Sequence, residues 1–398
     1  MKKLNILCVS TYFKGEDFIK GAAAVGSNVY LLTLEKLKDE NWPRECLKDL
    51  LLIPEWNLEH VKNGLAYRFR KVKFDRFVAL DDFDVEKVAE LRECFRMPGM
   101  GATTARYFRD KLAMRIKAKE AKIPVPAFTP LFNDDEVNIF TESVDPPWLI
   151  KPRSDASATG IKKIQSKEEL WDIVNSLGDE RHNYLLEKFA PGEVFHVDGL
   201  NFNGRVVFSR VSQYLQPPFD VAHGGGVFRS VVSDFGGEDD KCLTSFNKKV
   251  MTAFGMKYSA SHTEFIKCKM TGEYFFLETS SRVGGANLAE MVQYSSHINL
   301  WREWAKVESA TLRGESYKIP KVKKLYTGIL VSLSRHEYPD YNIFKDKEIV
   351  WTMSKPWHVG LILQSKSRER ILELLEKYTK VITVDLHASL PAKEVGEE

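Results

Sequence analysis

The strongest constraint on the fold of this chain is a pair of carboxylates carried by one β-ribbon. In the stretch HTEFIKCKMTGEYFFLETSSR, Glu264 and Glu278 each lie inside a run of β-branched and aromatic residues. The residues between the runs, Lys269 to Glu273 around Met270-Thr271-Gly272, read as a tight hairpin loop. A hairpin centred on Thr271 sets Glu264 directly opposite Glu278, with both side chains on one face. Two acidic side chains about 5 Å apart at Cβ repel each other unless a cation lies between them. Strand carboxylates alone can be a solvated face, but here the strand continues through Ser280 to Arg282. The run Val283-Gly284-Gly285-Ala286-Asn287 follows, whose small residues let backbone amides approach a bound group closely. Hard oxygen ligands of this kind suit magnesium, which keeps some waters and takes other ligands from substrate phosphates.

At 398 residues the chain is too long for one ordinary core and is expected to form two to four packed units. With 43% hydrophobic and 28% charged residues and a net charge of +3, nothing in it demands nucleic acid or an acidic membrane surface. No apolar run approaches the length of a membrane span. The start, MKKLNILCVSTYF, reads as a first buried strand, because its apolar stretch is short and is interrupted by Ser10, Thr11, Lys14 and Glu16. Five scattered cysteines offer no zinc motif and fit a reducing cytoplasm.

Strand, helix and strand patterns at residues 4–10, 18–25 and 28–34 favour a parallel sheet, and a further strand at 77–80 ends at Asp81-Asp82. No Gly-x-Gly-x-x-Gly turn follows the first strand, so residues 1–103 read as a scaffold unit without a dinucleotide fingerprint. The segment Thr104 to Lys122 has a helical composition, its basic residues forming a solvated face apart from Lys111. Trp148 to Pro152 reads as a strand bearing Lys151, and RSDASATG follows as a small-residue loop. Tyr184 to Phe189 is a buried strand, and Val194–Leu200 and Val206–Tyr214 form a hairpin. His196 and His262, on strand faces, read as satisfied structural histidines, and Trp301 and Trp304 as helix packing. The His223-Gly224-Gly225-Gly226 loop reads as substrate-facing, since consecutive glycines cost conformational entropy. From Lys318 the pattern returns to strands and one helix, and the tail from Ser389 is expected to be mobile.

The segments RDKLAMR (109–115), IPVP (123–126), PWLIKPRSDASATGI (147–161), LLEKFAPGEVFHVDG (185–199), HTEFI (262–266) and FLETSSRVGGAN (276–287) occur in an order that resembles the ATP-grasp superfamily. The likeness is greatest to the carboxylate–amine, or amino-acid, ligase branch, with similarity also to biotin carboxylase and carbamoyl-phosphate synthase. It implies an α/β (α+β) fold. The units would be an N-terminal parallel-sheet domain (1–103), a connecting helix (104–123), a mobile lid (124–186), a catalytic subdomain (187–315), a C-terminal α/β subdomain (316–388) and a tail (389–398).

The resemblance also implies roles. Lys111 and Lys151 would bind phosphate. Ser154, Ser157 and Gly160 would belong to the loop that covers it. Glu187, Lys188 and Phe189 would form the adenine hinge, with the backbone of Phe189 on the base. Glu264 and Glu278 would hold Mg2+, with Mn2+ as the alternative ion, and Arg282 would grip substrate carboxylate or acyl-phosphate oxygens. Ser280 stands where many members have a ligating asparagine. Glu193 is the candidate ribose contact, in a segment that lacks the second glutamate of the usual Gly-Glu-Glu.

The activity implied is ATP-dependent amide or peptide bond formation through an acyl phosphate, in the cytoplasm. Its partners would be a small carboxylate and an amine, expected to be amino acids, with no nucleic acid or membrane partner and a homodimer as the family-level expectation. Two alternatives stay open. A carboxylating enzyme of the biotin-carboxylase type is disfavoured by RVGGAN after the strand, in place of a histidine-bearing continuation. A non-catalytic ATP-binding sensor or scaffold is disfavoured by the presence of both carboxylates.

Overall fold

A computed structural model describes residues 3–155 and 159–389, without the side chains of 222–224. The expected tail beyond Ser389 and the loop residue Ser157 fall outside the described residues. The first unit is a parallel sheet in the order Leu47–Ile53, Asn28–Leu34, Asn5–Ser10, Arg76–Ala79. Alternation along the first strand feeds two cores. Ile6 and Cys8 pack with Phe18, Ile19 and Trp304 on one face, and Leu7 and Val9 with Val61, Leu65 and Val88 on the other. The strand Leu47–Ile53 and the helix Leu58–Phe69 extend the expected opening; LKDLLLI lacks clean alternation and forms the half-buried sheet edge. The helix Glu16–Ala24 ties this unit to the helix Leu300–Arg313, with Phe18 edge-on to Trp304 at 4.9 Å between ring centroids.

The helix expected over Thr104–Lys122 divides into Ala102–Arg106 and Lys111–Glu120. Asp110 stands between them in extended backbone, and its carboxylate accepts from the N–H groups of Leu112 and Ala113, starting the second helix. The basic residues of this segment are not a uniformly solvated face: Arg109, Lys111 and Arg115 are all buried.

A small antiparallel sheet, in the order Phe128–Pro130, Tyr184–Lys188, Trp148–Pro152, Lys162–Ile164, packs under the helices Asp134–Ser143 and Lys167–Leu177 with a core of its own around Trp148, Leu170 and Leu186. Its strand runs on to Lys188, so Glu187 and Lys188 belong to this sheet although the expected boundary fell at 186.

The largest layer is one antiparallel sheet in the order Tyr274–Ser280, Ser259–Cys268, Gly192–Phe202, Arg205–Tyr214, Phe228–Val232, Tyr326–Leu333, His358–Ser365, Ile349–Thr352. The strands from the C-terminal region thus continue the sheet that carries the acidic hairpin, joined where Phe228–Val232 pairs with Tyr326–Leu333.

In a helix, Gly→Ala ordinarily gains about 0.8–1 kcal/mol. At Gly21 an added Cβ would lie 2.9 Å from the Cα of Arg302, so the two docked helices would have to part. Gly21→Ala is expected to lower the unfolding free energy by about 1–3 kcal/mol. Gly64→Ala, in a helix with nothing within 4 Å of the new Cβ, should raise it by about 1 kcal/mol. Denaturant unfolding of the two variants checks the opposite signs.

Candidate active site

A cavity of about 570 Å3 lies where the three units meet. The N-terminal unit contributes Asp82, the connecting helix Lys111 and Arg115, the small sheet Leu149, Lys151 and Glu187, and the large sheet Tyr214, Glu264 and Glu278. The hairpin has the expected pairing at its centre: Glu264 opposes Glu278 and His262 opposes Ser280. The register then shifts, so that Phe265 faces Phe276, and the extra residue Leu277 bulges toward the cavity. Each acidic side chain has a cationic neighbour. The Lys111 Nζ lies 3.0 Å from the Glu278 Oε2, and the His262 Nε2 lies 3.5 Å from the Glu264 Oε1. Paired carboxylates open to one cavity, each already facing positive charge, are a donor set that fits a hard divalent cation.

Lys111 and Lys151 both line the cavity, from different elements. The Lys111 ammonium also donates to the Asp155 carbonyl at 2.6 Å, so the start of the loop after Lys151 meets the connecting helix. Lys151 is bound to the Glu187 Oε1, while the Arg115 Nε donates to the Glu187 Oε2 at 2.6 Å and an Arg115 Nη1–H to the Leu277 carbonyl. Burial alone would push the Glu187 carboxyl up, but Arg115 and Lys151 hold it below the usual glutamate range. The Glu187 side chain is therefore a buried anchor for two cations. Sequence reasoning missed Arg115, although it lies one turn after Lys111 and so on the same helix face.

Asp82 is the second omission. Its carboxylate accepts from the Arg109 Nη1 at 2.8 Å and from the Ser280 hydroxyl, and lies 3.7 Å from the Arg282 Nε. Burial opposes its ionisation, but Arg282 and Arg109 hold its carboxyl below the usual aspartate range. Ser280 lines the cavity with its proton committed to Asp82, and Arg282 also donates to the Val283 carbonyl at 2.8 Å. The signal available was positional. Asp82 follows the strand Arg76–Ala79, next to Asn5–Ser10 where the strand order reverses, and ligand sites in open α/β sheets gather at such points.

The remaining expected residues divide. Phe189 lines the cavity, with the Lys163 Nζ 3.9 Å from its ring centroid, but its N–H donates to the Pro147 carbonyl. The Lys188 Nζ donates to the carbonyls of Asp145 and Pro146. Ser154 is exposed and borders a separate cleft with Arg153 and Asp110, and Gly160 adopts φ 67° next to the cavity residue Ile161. Glu193 is exposed and accepts from Gln213, whereas its neighbours Gly192 and Val194 line the cavity; strand alternation turns Glu193 away. Pro217 to Val221, just before the glycine loop, line the cavity wall, most of them in the short helix Pro218–Gly224, whereas Gly225 and Gly226 of the loop itself do not. His196 is fully buried and bonded through both ring nitrogens, to Asp198 and Ser230, as expected of a satisfied histidine, while His262 reaches the cavity.

No family model matches the chain. It is 27% identical over 262 residues to the L-arginine-specific L-amino acid ligase of Bacillus subtilis, a match covering 64% of this chain and 60% of that protein. In three dimensions it is similar to an L-amino acid ligase from Bacillus licheniformis, with a TM-score of 0.76, 17% identity and coverage of 97% of this chain and 98% of that one. It is similar also to the biotin carboxylase domain of 2-oxoglutarate carboxylase from Hydrogenobacter thermophilus, solved with MgADP and bicarbonate, with a TM-score of 0.72, 15% identity and coverage of 95% and 90%. The fold is that shared by these proteins, the ATP-grasp fold. Among the described residues no helix is long and apolar enough to cross a membrane.

Glu187→Ala would leave Arg115 and Lys151 buried without their counter-charge, and a loss of about 3–5 kcal/mol in unfolding free energy is expected. Because the folded-state pKa of Glu187 is depressed, its contribution is present above the ordinary value of 4.5 and is lost as pH falls through the lower folded value. The stability difference between wild type and Glu187→Ala, measured by urea unfolding across pH, should therefore be full near neutrality and shrink in acid.

Proposed function

We propose, from the premise that this chain has the ATP-grasp fold and that its homologues and structural neighbours are ATP-grasp ligases, that it is an ADP-forming carboxylate–amine ligase. It would join a carboxylate and an amine, both amino acids, through an acyl phosphate. The observation that carries the reading is the Glu264–Glu278 pair in one cavity with Lys111 and Lys151. The amino-acid assignment is supported by the L-amino acid ligases among the similar proteins.

Glu264 and Glu278 would hold magnesium, or manganese in its place, which when bound supplies charge neutralisation beside the terminal phosphates. Lys111 and Lys151 act as compact positive charges toward the nucleotide tail. Their placement on different elements lets a single triphosphate draw the connecting helix and the small sheet together. Arg282, held against Asp82, presents its guanidinium to the substrate carboxylate and to the oxygens that gain charge as the acyl phosphate forms. The small sheet has its own core and can move as a lid, excluding the water that would hydrolyse the acyl phosphate before the amine arrives. The chemistry is thus positioning and charge neutralisation, as phosphoryl transfer requires.

Glu278 is partly exposed, with 34% of its side chain accessible, so Glu278→Ala should fold normally while magnesium-dependent ADP formation falls by about a hundredfold or more. Full activity in that variant would overturn the metal assignment. A screen of amino-acid pairs, read by phosphate release, should show slow ADP release with the carboxylate substrate alone and faster release when the amine is added. ADP release that requires bicarbonate would instead establish the carboxylating alternative.

A further inference from the structure

Behind Glu264 a line of polar side chains runs into the interior of the large sheet. Neighbouring strands pair Glu264 with His196 and His262 with Asp198. The Ser230 Oγ lies 2.7 Å from the His196 Nε2, the His196 Nδ1 lies 2.7 Å from the Asp198 Oδ2, and the Asp198 Oδ1 lies 2.8 Å from the His262 Nδ1. Tyr214 closes the line, its hydroxyl donating to the Glu264 Oε1 at 2.8 Å. His196, Asp198 and Ser230 are fully buried, and Tyr214 nearly so.

A carboxylate only accepts, so both histidine Nδ1 atoms carry hydrogens and donate to Asp198. That fixes the His262 ring and turns its Nε2 toward Glu264. Both the Tyr214 and the His262 contacts fall on the Glu264 Oε1. A set of buried polar groups that only satisfied one another would have no reason to end on a cavity carboxylate and to occupy one of its two oxygens. The chain has also cleared room for the arrangement: a Cβ on Gly284 would lie 2.8 Å from the Asp198 Oδ1 and 2.9 Å from the His262 Nδ1.

We infer that Ser230, His196, Asp198, His262 and Tyr214 form a positioning device that locks Glu264 to present one oxygen, the Oε2, to the divalent cation, and thereby sets the affinity for that cation. The inference rests on the proposed role of Glu264 as a metal ligand. Partners of ligating groups orient them and are worth about 10- to 100-fold in metal affinity.

Two variants disturb the device without touching a ligand. Tyr214→Phe removes one hydroxyl, and Gly284→Ala pushes on the Asp198–His262 bond. Mn2+ binding to each protein saturated with ADP is measured by electron paramagnetic resonance, beside binding of metal-free ADP by calorimetry. Each variant should bind Mn2+ about tenfold or more weakly, with metal-free ADP affinity within about twofold of wild type and an unfolding transition still cooperative. Should both variants fold and hold Mn2+ as tightly as wild type, while Glu264→Gln loses it, the device has no bearing on the metal and the inference fails alone. If Glu264→Gln also keeps full Mn2+ affinity, the metal assignment of Glu264 is wrong and the inference falls with it.

Discussion

The site depends on charge balance within one cavity. Asp82, Glu187, Glu264 and Glu278 all face it, and each is matched: Asp82 by Arg109 and Arg282, Glu187 by Arg115 and Lys151, Glu264 by His262, and Glu278 by Lys111. Buried like charges on this scale would otherwise be neutralised by proton uptake. The pairs differ in how firmly they are fixed. Glu187 accepts from two buried cations, and the fully buried Arg115 is the structural one, which on the proposed reading keeps the carboxylate paired when Lys151 faces phosphate. Lys111 and Glu278 touch through one contact at the more open end of the cavity. On the proposed reading they are the pair able to exchange partners, the ammonium turning to phosphate as the carboxylate turns to the cation.

This division assigns work to elements. The connecting helix carries both kinds of cation on one face, Lys111 for exchange and Arg115 for anchoring, and is started by the Asp110 cap. Arg115 reaches the small sheet through Glu187 and the acidic hairpin through the Leu277 carbonyl, at the bulge where the register shifts. The bulge lets Glu278 stay opposite Glu264 while Leu277 turns its carbonyl to Arg115. One buried guanidinium thus holds the small sheet and the acidic hairpin, two walls of the cavity, in a common frame.

The hairpin pairing was legible because strand alternation and a short turn leave few registers, and the first parallel strands because their apolar runs are continuous. Three things were not legible, each for a physical cause. The helix break at Asp110 depends on a side chain choosing the N-cap over continued helix, a local competition that composition averages away. Arg115 and Asp82 belong to the site through partners 72 and 198 residues distant in sequence, Glu187 and Ser280. The C-terminal strands look like a unit of their own until Phe228–Val232 supplies an edge for them to extend. Glu193 shows the converse: motif position pointed to it, but strand alternation at Gly192–Val194 turns it away from the cavity.

Similarity to proteins of two chemistries leaves the substrate to be argued from the cavity wall. The fold and the paired carboxylates serve any enzyme that activates a carboxyl group or bicarbonate with ATP, and so do not separate the two. On the proposed reading, the apolar part of the cavity wall favours the amino acid. The cavity that Arg282 lines is walled in part by Gly285, Ala286, Leu288, Phe219, Val221 and Phe228, with Gly285 beside the guanidinium. Bicarbonate has no apolar surface to bury, and a site for it gains nothing from such a wall. An amino acid has a carboxylate for a guanidinium and a side chain for an apolar surface, and burying that side chain contributes about 25 cal/mol per Å2. The Asp82–Arg282 contact then has a second consequence. Because Asp82 comes from the N-terminal unit, the guanidinium is aimed only while that unit stays docked through the Glu16–Ala24 and Leu300–Arg313 helices. On the proposed reading, the N-terminal unit would therefore help to aim the carboxylate contact without having to touch it.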